Sequence, residues 1–397
     1  MHILIAGGGI GGLTSALCCA HFGAAVTVLE QSDQIREVGA GLQLSPNAMK
    51  VYQALGLADE IARLAFKPEA LEMRLGQSGQ SIFSVPITRK TEQKWGAPYL
   101  HIHRSDLIAV LLSAVQRSTK IRVKLGHTVI GYEQLTQQVQ TFTAEGGRLA
   151  ADLLIGADGI HSLIRQQMCP EAPARFTGNV AWRAVVPTER LGSDLPPPTA
   201  CIWVGAKRHA VTYRLRQGKL CNFVGVIERE DWTEESWTLA GTRAEALADF
   251  EGWHPTLTRL IENADQQFRW ALYDRAPLPR WSEGRVALLG DACHPTLPFM
   301  AQGAALAIED AYLLAKRVCQ NHPEDISHNL ERYFQQRIQR ASSVQRGSRK
   351  NMHLFHKSSW LSKLTTYGPM WLAGQLAPGF IRSRQDPIYS YDVTTLE

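Results

Sequence analysis

Ile3-Leu4-Ile5-Ala6-Gly7-Gly8-Gly9-Ile10-Gly11-Gly12, running into the apolar stretch Leu13 to Phe22 and then into Ala25-Val26-Thr27-Val28-Leu29-Glu30, decides the fold. It reads as an apolar strand, a glycine turn, a helix and a second strand ending on a carboxylate, the βαβ unit that holds a dinucleotide. Gly7 allows a tight turn out of the strand, Gly9 lets a pyrophosphate approach bare backbone, and Gly12 permits close packing of helix on strand. Unpaired N–H groups and the positive dipole end at the helix start stabilise phosphate charge. Glu30 is placed to accept hydrogen bonds from adenosine ribose hydroxyls. A glycine pattern alone is a weak signal; here the strand before, the helix after and the acidic residue at the second strand's end all agree. Which dinucleotide is bound stays open at this point.

The rest of the chain sets bounds on that reading. At 397 residues it is long enough for two domains, or for one large domain carrying an insertion. With 45% hydrophobic and 20% charged residues and a net charge of +5, the composition is globular and gives no nucleic-acid reading. Basic residues are densest from Arg332 to Lys350. Arg337, Arg340, Arg346, Arg349 and Lys350 there are expected on a solvated helix face rather than at an anion or membrane contact. The seven cysteines are irregularly spaced without a CxxC pair, so neither a zinc site nor a disulfide framework is expected, and a reducing cytoplasm fits best. The first apolar stretch has no basic region before it, unlike a signal peptide, and no apolar run reaches ~18 residues. A cytoplasmic protein without stable membrane association is expected.

Along the chain the pattern changes several times. Val38 to Leu44 is a glycine-punctuated extended stretch, and Ser45-Pro46-Asn47-Ala48 starts a helix. Short alternating segments from Leu71 to Pro98 read as strands of a different sheet, and His103-Arg104-Ser105-Asp106-Leu107 opens a periodic helix. Val180 to Val186, Ala200 to Val204, Ala210 to Leu215, Cys221 to Val226 and Arg269 to Ala276 read as strands of an antiparallel sheet, with a loop from Glu228 to Trp237. The fold class predicted is α/β: a Rossmann-like dinucleotide domain from residues 1–72, 99–178 and 277–345, an inserted, mostly antiparallel sheet domain from residues 73–98 and 179–276, and a C-terminal helical segment and tail over residues 346–397.

Two later segments repeat the form strand, acidic turn, helix. They are Leu153-Leu154-Ile155-Gly156-Ala157-Asp158-Gly159, running on to Arg165, and Val286-Ala287-Leu288-Leu289-Gly290-Asp291-Ala292-Cys293-His294-Pro295, continuing to Gln302-Gly303-Ala304 and the helix beyond. Asp291 at a strand end can hydrogen-bond a ribityl hydroxyl, and the amides at Gly303 and Ala304 can face the pyrimidine edge of a flavin. With the first glycine run and His103 to Leu107, this ordered set resembles the single-component FAD-dependent aromatic hydroxylases, the group A flavoprotein monooxygenases of the 4-hydroxybenzoate 3-hydroxylase fold. Gly39 to Ala48, Ala181-Trp182-Arg183 and Pro387 to Asp392 are similar to the branch containing salicylate 1-hydroxylase and 3-hydroxybenzoate 6-hydroxylase.

The resemblance implies an FAD site built from Gly7, Gly9, Ile10, Gly11, Gly12, Glu30, Gln31, Arg36, Gly41, Arg104, Val129, Asp158, Asp291, Gly303 and Ala304. Glu30 would bind ribose, Arg104 the pyrophosphate, and Gly41, Gly303 and Ala304 would line the isoalloxazine. Asp158-Gly159 would serve both FAD and the nicotinamide cofactor. With a single glycine fingerprint, NADH or NADPH would bind transiently as co-substrate. The implied reaction is FAD reduction, O₂ addition at the flavin C4a, and delivery of one oxygen from the C4a-hydroperoxide to a small aromatic or heteroaromatic ring, phenolic or carboxylated. The same fold could instead serve an epoxidase, N-hydroxylase or quinone-precursor hydroxylase on a larger apolar substrate, or a flavin-binding sensor without turnover. The expected assembly is a monomer or homodimer.

Activating a phenol calls for a titratable group on the inserted sheet. His209 and Tyr213, four apart in a candidate strand, project to one face, and either could be the base. Pro295 resembles the family's flavin-flanking proline, whose carbonyl can contact C4a. No metal site is expected: His294 lacks a matching distant cluster, and His101 and His103 read as structural. Trp182, Trp203 and Phe223 could line an aromatic pocket, although core packing alone would explain them.

Overall fold

The computed structural model describes residues 1–35, 41–170, 173–229, 239–320 and 326–397. The opening unit forms as read: β1 (His2–Ala6), α1 (Ile10–His21) and β2 (Ala25–Leu29). β1 lies inside a six-stranded sheet, parallel to β2 on one side and to Leu153–Gly156 on the other. Val286–Leu288 adds next to Leu153–Gly156, also parallel. Three acidic or glycine turns at the carboxyl ends of adjacent parallel strands therefore share one edge, where ligands of open α/β sheets bind. The sheet is buried on both faces, with Ile3, Leu4 and Ile5 fully inaccessible, which is why these strands are continuous apolar runs.

The inserted domain is an eight-stranded sheet in the order Leu239–Gly241, Gln267–Asp274, Arg175–Pro187, Leu220–Glu228, Arg208–Leu215, Ala200–Gly205, Ala70–Leu75 and Ser81–Pro86. It is antiparallel except where Ala200–Gly205 runs parallel to Ala70–Leu75. Strand alternation gives it two different faces. One carries Trp182, Trp203 and Phe223 and packs on the helices Arg243–Asp249 and Pro255–Asn263 through Phe250, Trp253 and Leu257. Residues one position out of phase, such as Arg183, Ile202 and Val224, face the dinucleotide domain across a cavity.

The C-terminal region is more helical and more integral than its sequence suggests. A single helix, Ile326–Phe355, runs through the domain boundary expected at 345/346, and the boundary at 72/73 falls inside the strand Ala70–Leu75. Helix Trp360–Leu376 then packs against the edge strand Ser81–Pro86. Most of the loop expected from Glu228 to Trp237 lies outside the described residues; Glu228 itself ends a strand. No described helix is long and apolar enough to cross a membrane.

Candidate active site

The glycine turn has the shape a pyrophosphate needs. Gly7 takes φ +103°, and its N–H donates to the Leu29 carbonyl at 2.8 Å, tying the turn to β2. A Cβ on Gly12 would overlap the Gly7 carbonyl, and one on Gly11 would come within 2.9 Å of the Leu289 side chain. Gly9 is the contrast: it caps α1 with φ −74° and no side-chain partner, and a Cβ there would meet nothing within 4 Å. Open space at a helix N-terminus, walled by packed glycines, is a fit for a bound phosphate group.

Glu30 is held at the mouth, its two oxygens accepting from Gly8 N (2.6 Å) and Ser32 N (3.0 Å). Ile10 starts α1 and is buried, Gln31 is exposed beside Glu30, and Val129 is buried at the start of Val129–Gln134. Arg36 lies outside the described residues. Asp158 accepts from Leu163 N (3.0 Å) and Ile164 N (3.4 Å) with one oxygen. Its other oxygen is buried without a hydrogen-bond partner, and burial raises the carboxyl above its ordinary range. An orphaned acceptor beside the glycine turn suits a ligand that brings its own donors.

Gly41, Arg104, Asp291, Gly303 and Ala304 come together on one cavity of about 340 Å³ between the two domains. Asp291 is exposed to this cavity, and the protein mass around it raises its carboxyl. On the opposite wall His209, Val211 and Tyr213 alternate inward from the strand Arg208–Leu215, with Arg183, Val224 and Val226 from neighbouring strands. The Tyr213 ring presses on Gly41, where any Cβ would collide with it. Gly41 N also donates to Asn222 Oδ1 at 2.9 Å, locking the strand Gly41–Leu44 to the inserted sheet. Burial raises the Tyr213 hydroxyl well above its usual range, so it stays a neutral phenol. His209 is pushed the other way, first by burial and then by His356, so it stays a neutral imidazole. The Arg183 guanidinium lies 4.3 Å from the Trp270 ring centroid on the same cavity wall.

Two expectations need correcting. The carbonyl of Pro295 accepts from Gln345 Nε2 at 3.0 Å, and Pro295 lines only a smaller adjoining cavity of about 190 Å³; the proline on the main wall is Pro298. Thr296 and Leu297 separate the two positions, and Pro298 opens the short helical turn Pro298–Met300 that continues the wall. Trp182, Trp203 and Phe223 do not line the cavity, because strand alternation turns them into the core on the far face.

Sequence reasoning missed the support under the helix start that lines the cavity at Gly303 and Ala304. Gly303–Gln320 carries Glu309 and Asp310, both inaccessible to solvent. Arg337, also inaccessible, reaches Asp310 through Nε and Glu309 through a terminal nitrogen, each at 2.7 Å. Arg340 pairs with Glu309 at 2.6 Å. The solvated face expected for these arginines is therefore wrong for Arg337 and for Arg340: positions three apart on one helix meet the adjacent Glu-Asp of another. Asn47 Nδ2 donates to Glu309 (2.6 Å) and to Gln302 Oε1 (3.1 Å), and Gln302 donates to Ser45 (3.0 Å). Ser45 sits at the N-cap of the helix Pro46–Ala54 without a side-chain cap bond, and its hydroxyl instead holds the loop before Gly303.

His294 pairs with Asp310 in the same network. Burial disfavours the imidazolium, yet Cys293 and the Asp310 carboxylate raise His294 above its ordinary range. Cys293, His294 and Asp310 offer ligand atoms within 4.8 Å of one another, but Asp310 is already shared between His294 and Arg337. His101 is enclosed by Phe66, Tyr99 and Tyr213, and burial lowers it to about 3; His103 Nδ1 lies 2.6 Å from Ser105 Oγ.

A phosphate cradle on a parallel sheet, facing a walled cavity on an inserted antiparallel sheet, defines an FAD flavoprotein that acts on a small ligand. Residues 1–348 match the family described as an FAD binding domain, and the chain belongs to that family. It is 35% identical over 375 residues to 6-hydroxynicotinate 3-monooxygenase of Bordetella bronchiseptica, covering 94% of each chain. It is 36% identical over 357 residues to 3-hydroxybenzoate 6-hydroxylase of Polaromonas naphthalenivorans, covering 90% of this chain and 88% of that one. Among solved structures, a salicylate hydroxylase substrate complex superposes with a TM-score of 0.82 at 26% identity, covering 99% and 96%. Klebsiella pneumoniae HpxO complexed with FAD and uric acid gives 0.86 at 26% identity, covering 98% and 96%. The chain is thus a flavin-dependent aromatic monooxygenase with FAD as its cofactor.

Proposed function

We propose that this monooxygenase hydroxylates a single aromatic ring bearing both a hydroxyl and a carboxylate. The observation that carries the reading is the make-up of the cavity. Its walls are apolar (Phe83, Val211, Val224, Val226, Phe299), and one sheet face brings in a guanidinium, a neutral imidazole and a neutral phenol at Arg183, His209 and Tyr213. Arg183 suits a carboxylate, which it can meet with a bidentate fork. His209 is the acceptor for a ring hydroxyl proton. Tyr213, with its raised hydroxyl, donates a hydrogen bond and orients the ring. Their opposite shifts favour His209 as the base and Tyr213 as the donor.

Gly7 to Gly12, Glu30, Arg104, Asp158, Asp291, Gly303 and Ala304 would hold FAD, which when bound and reduced by NADH or NADPH supplies oxygen activation. The protein's own share is to fix the ring against Pro298 and Gly303, take its proton and exclude water. The cavity of about 340 Å³ would also have to take the flavin ring, since Gly41, Gly303 and Ala304 line it, and what is left favours one ring over a larger apolar substrate. Relatives named for hydroxybenzoates and hydroxynicotinate support the same class.

The test is anaerobic reduction of the FAD-loaded enzyme by NADH and by NADPH with hydroxybenzoates, hydroxynicotinates and the unsubstituted parent acids. Hydroxylated acids should accelerate reduction and yield a product carrying one atom from isotope-labelled O₂. Acceleration by larger apolar compounds and by none of the acids would refute the reading.

A further inference from the structure

The cavity histidine is the inner end of a chain of three side chains that reaches the surface. His209 Nδ1 lies 2.7 Å from His356 Nε2, and His356 Nδ1 lies 2.8 Å from Glu228 Oε1. His209 is 2% exposed and His356 7%, whereas the Glu228 side chain is 41% exposed. The three residues come from two neighbouring strands, Arg208–Leu215 and Leu220–Glu228, and from the turn after the helix Ile326–Phe355. We propose that His356 and Glu228 form a proton relay that carries the substrate's hydroxyl proton from His209 to bulk solvent. This rests on the hydroxyaryl acid reading given above.

The hydrogen-bond directions follow from chemistry alone. Glu228 as a carboxylate only accepts, so His356 Nδ1 must carry the hydrogen. A neutral His356 then presents Nε2 as an acceptor, so His209 Nδ1 must carry a hydrogen too. A neutral His209 is left with Nε2 as a bare acceptor, and His209 is the one member that lines the cavity. Every donor in the chain thus points outward, and the free acceptor is at the substrate end. Burial lowers both imidazoles, with His356 adding to the effect on His209, which favours these neutral forms.

The transfer balances without another reactant. The substrate O–H breaks and its proton joins His209 Nε2; the Nδ1 proton passes to His356 Nε2; the His356 Nδ1 proton passes to Glu228, which releases it to water. The imidazoles finish with hydrogens on the opposite nitrogens; the chain resets when a proton re-enters through Glu228 and His356 and His209 Nε2 returns its own to the product's phenolate oxygen before the product leaves. Lys207, whose carbonyl accepts from Glu228 N, and the sequence neighbours Arg229 and Lys357 lie at the outer end of the chain. His353 lies near His356, Phe299 and Phe355 enclose His209, and the cavity itself adds Arg183, Glu72 and Tyr213. Arg183 is engaged by the substrate carboxylate in this reading, while Glu72 is paired with Arg74 at 2.7 Å.

The experiment uses the FAD-loaded enzyme and a nitro-substituted hydroxybenzoate, whose phenolate absorbs in the visible, mixed rapidly in weak buffer with a pH indicator. Wild type should form bound phenolate and release a proton to the indicator in one phase. Glu228→Gln and His356→Phe should slow both signals roughly tenfold or more. Affinity for methoxybenzoate, which has no proton to lose, should stay within about twofold, and Glu228→Asp should restore most of the rate. Added imidazole should partly rescue His356→Phe. If wild type ionises the probe and Glu228→Gln does so at the same rate, the relay is overturned while the substrate reading stands. If wild type does not bind the probe, the substrate reading falls and the relay falls with it.

Discussion

Replacing Arg337 by Met tests whether the buried ion network, rather than apolar packing, holds the cavity-lining helix start at Gly303 in place. The guanidinium is inaccessible and makes two 2.7 Å ion pairs, to Glu309 and Asp310, plus a 3.2 Å hydrogen bond to the Tyr391 hydroxyl. Met fills a similar volume but supplies no donor. Glu309 would keep Arg340 and Asn47, and Asp310 would keep His294, so two buried carboxylates would be left under-compensated rather than bare. Removing one partner of a buried pair costs about 3–5 kcal/mol, a large share of the ~5–15 kcal/mol by which a folded protein is stable. Burial alone would raise both carboxyls, and the network holds them below the ordinary range, His294 and Arg337 acting on Asp310, Arg337 and Arg340 on Glu309. A depressed carboxyl contributes stability above its unfolded value and loses it as pH falls through the folded one. The deficit of Arg337→Met should therefore be full at neutral pH and shrink below about pH 4. Urea unfolding followed by tryptophan fluorescence reads the deficit, and retained FAD reads the helix start. Adding Glu309→Gln and Asp310→Asn should recover part of the loss, because the unpaired charge disappears. A single variant within about 1 kcal/mol of wild type at neutral pH would refute the argument.

Gly12→Ala should fail to retain FAD or fail to fold, since its Cβ overlaps the Gly7 carbonyl, whereas Gly9→Ala should fold normally and bind FAD at least roughly tenfold more weakly. Quenching of FAD fluorescence on titration separates the two. Against the effect of burial, His294 is raised by Cys293 and Asp310, so its contribution is complete below its unfolded value and lost as pH rises through the folded one. His294→Asn should flatten the alkaline limb of the stability profile measured from about pH 6 to about pH 10. Arg183→Met should weaken binding of hydroxybenzoates by roughly tenfold or more, the worth of a charge-assisted pair, yet leave simple phenols unchanged; equal losses for both would count against a carboxylate contact.

The cofactor half was legible because its constraints are local. Gly7, Gly9 and Gly12 are dictated by one turn, and Glu30, Asp158 and Asp291 each sit where a strand ends, so sequence order carries the geometry. The substrate half depends on which strand lies beside which and in what phase. His209 and Tyr213 share a face by strand period, which sequence does show. That Trp182 faces away while Arg183 faces the cavity follows only from the pairing of Arg183 with Val224 and of Val224 with Val211. Pro298 rather than Pro295 lines the main cavity, and the irregular stretch around Thr296 and Leu297 carries no periodicity from which sequence could read that.

The least legible contacts are those between distant segments, and they share one signal in hindsight. Arg337 and Arg340, three apart in a helix, face Glu309-Asp310, adjacent in another; His356, at that helix's end, reaches His209 and Glu228. One helix thus touches both walls of the cavity: its middle braces the helix that starts at Gly303, and its end meets His209 through His356. Because Ile326–Phe355 is continuous, a disturbance at Arg337 has a rigid route toward His356. If the helix transmits it, Arg337→Met should slow phenolate formation as well as weaken FAD binding, even though Arg337 lines neither the cavity nor the relay. If the two ends are independent, FAD affinity alone will change and phenolate formation in fully loaded enzyme will keep its wild-type rate.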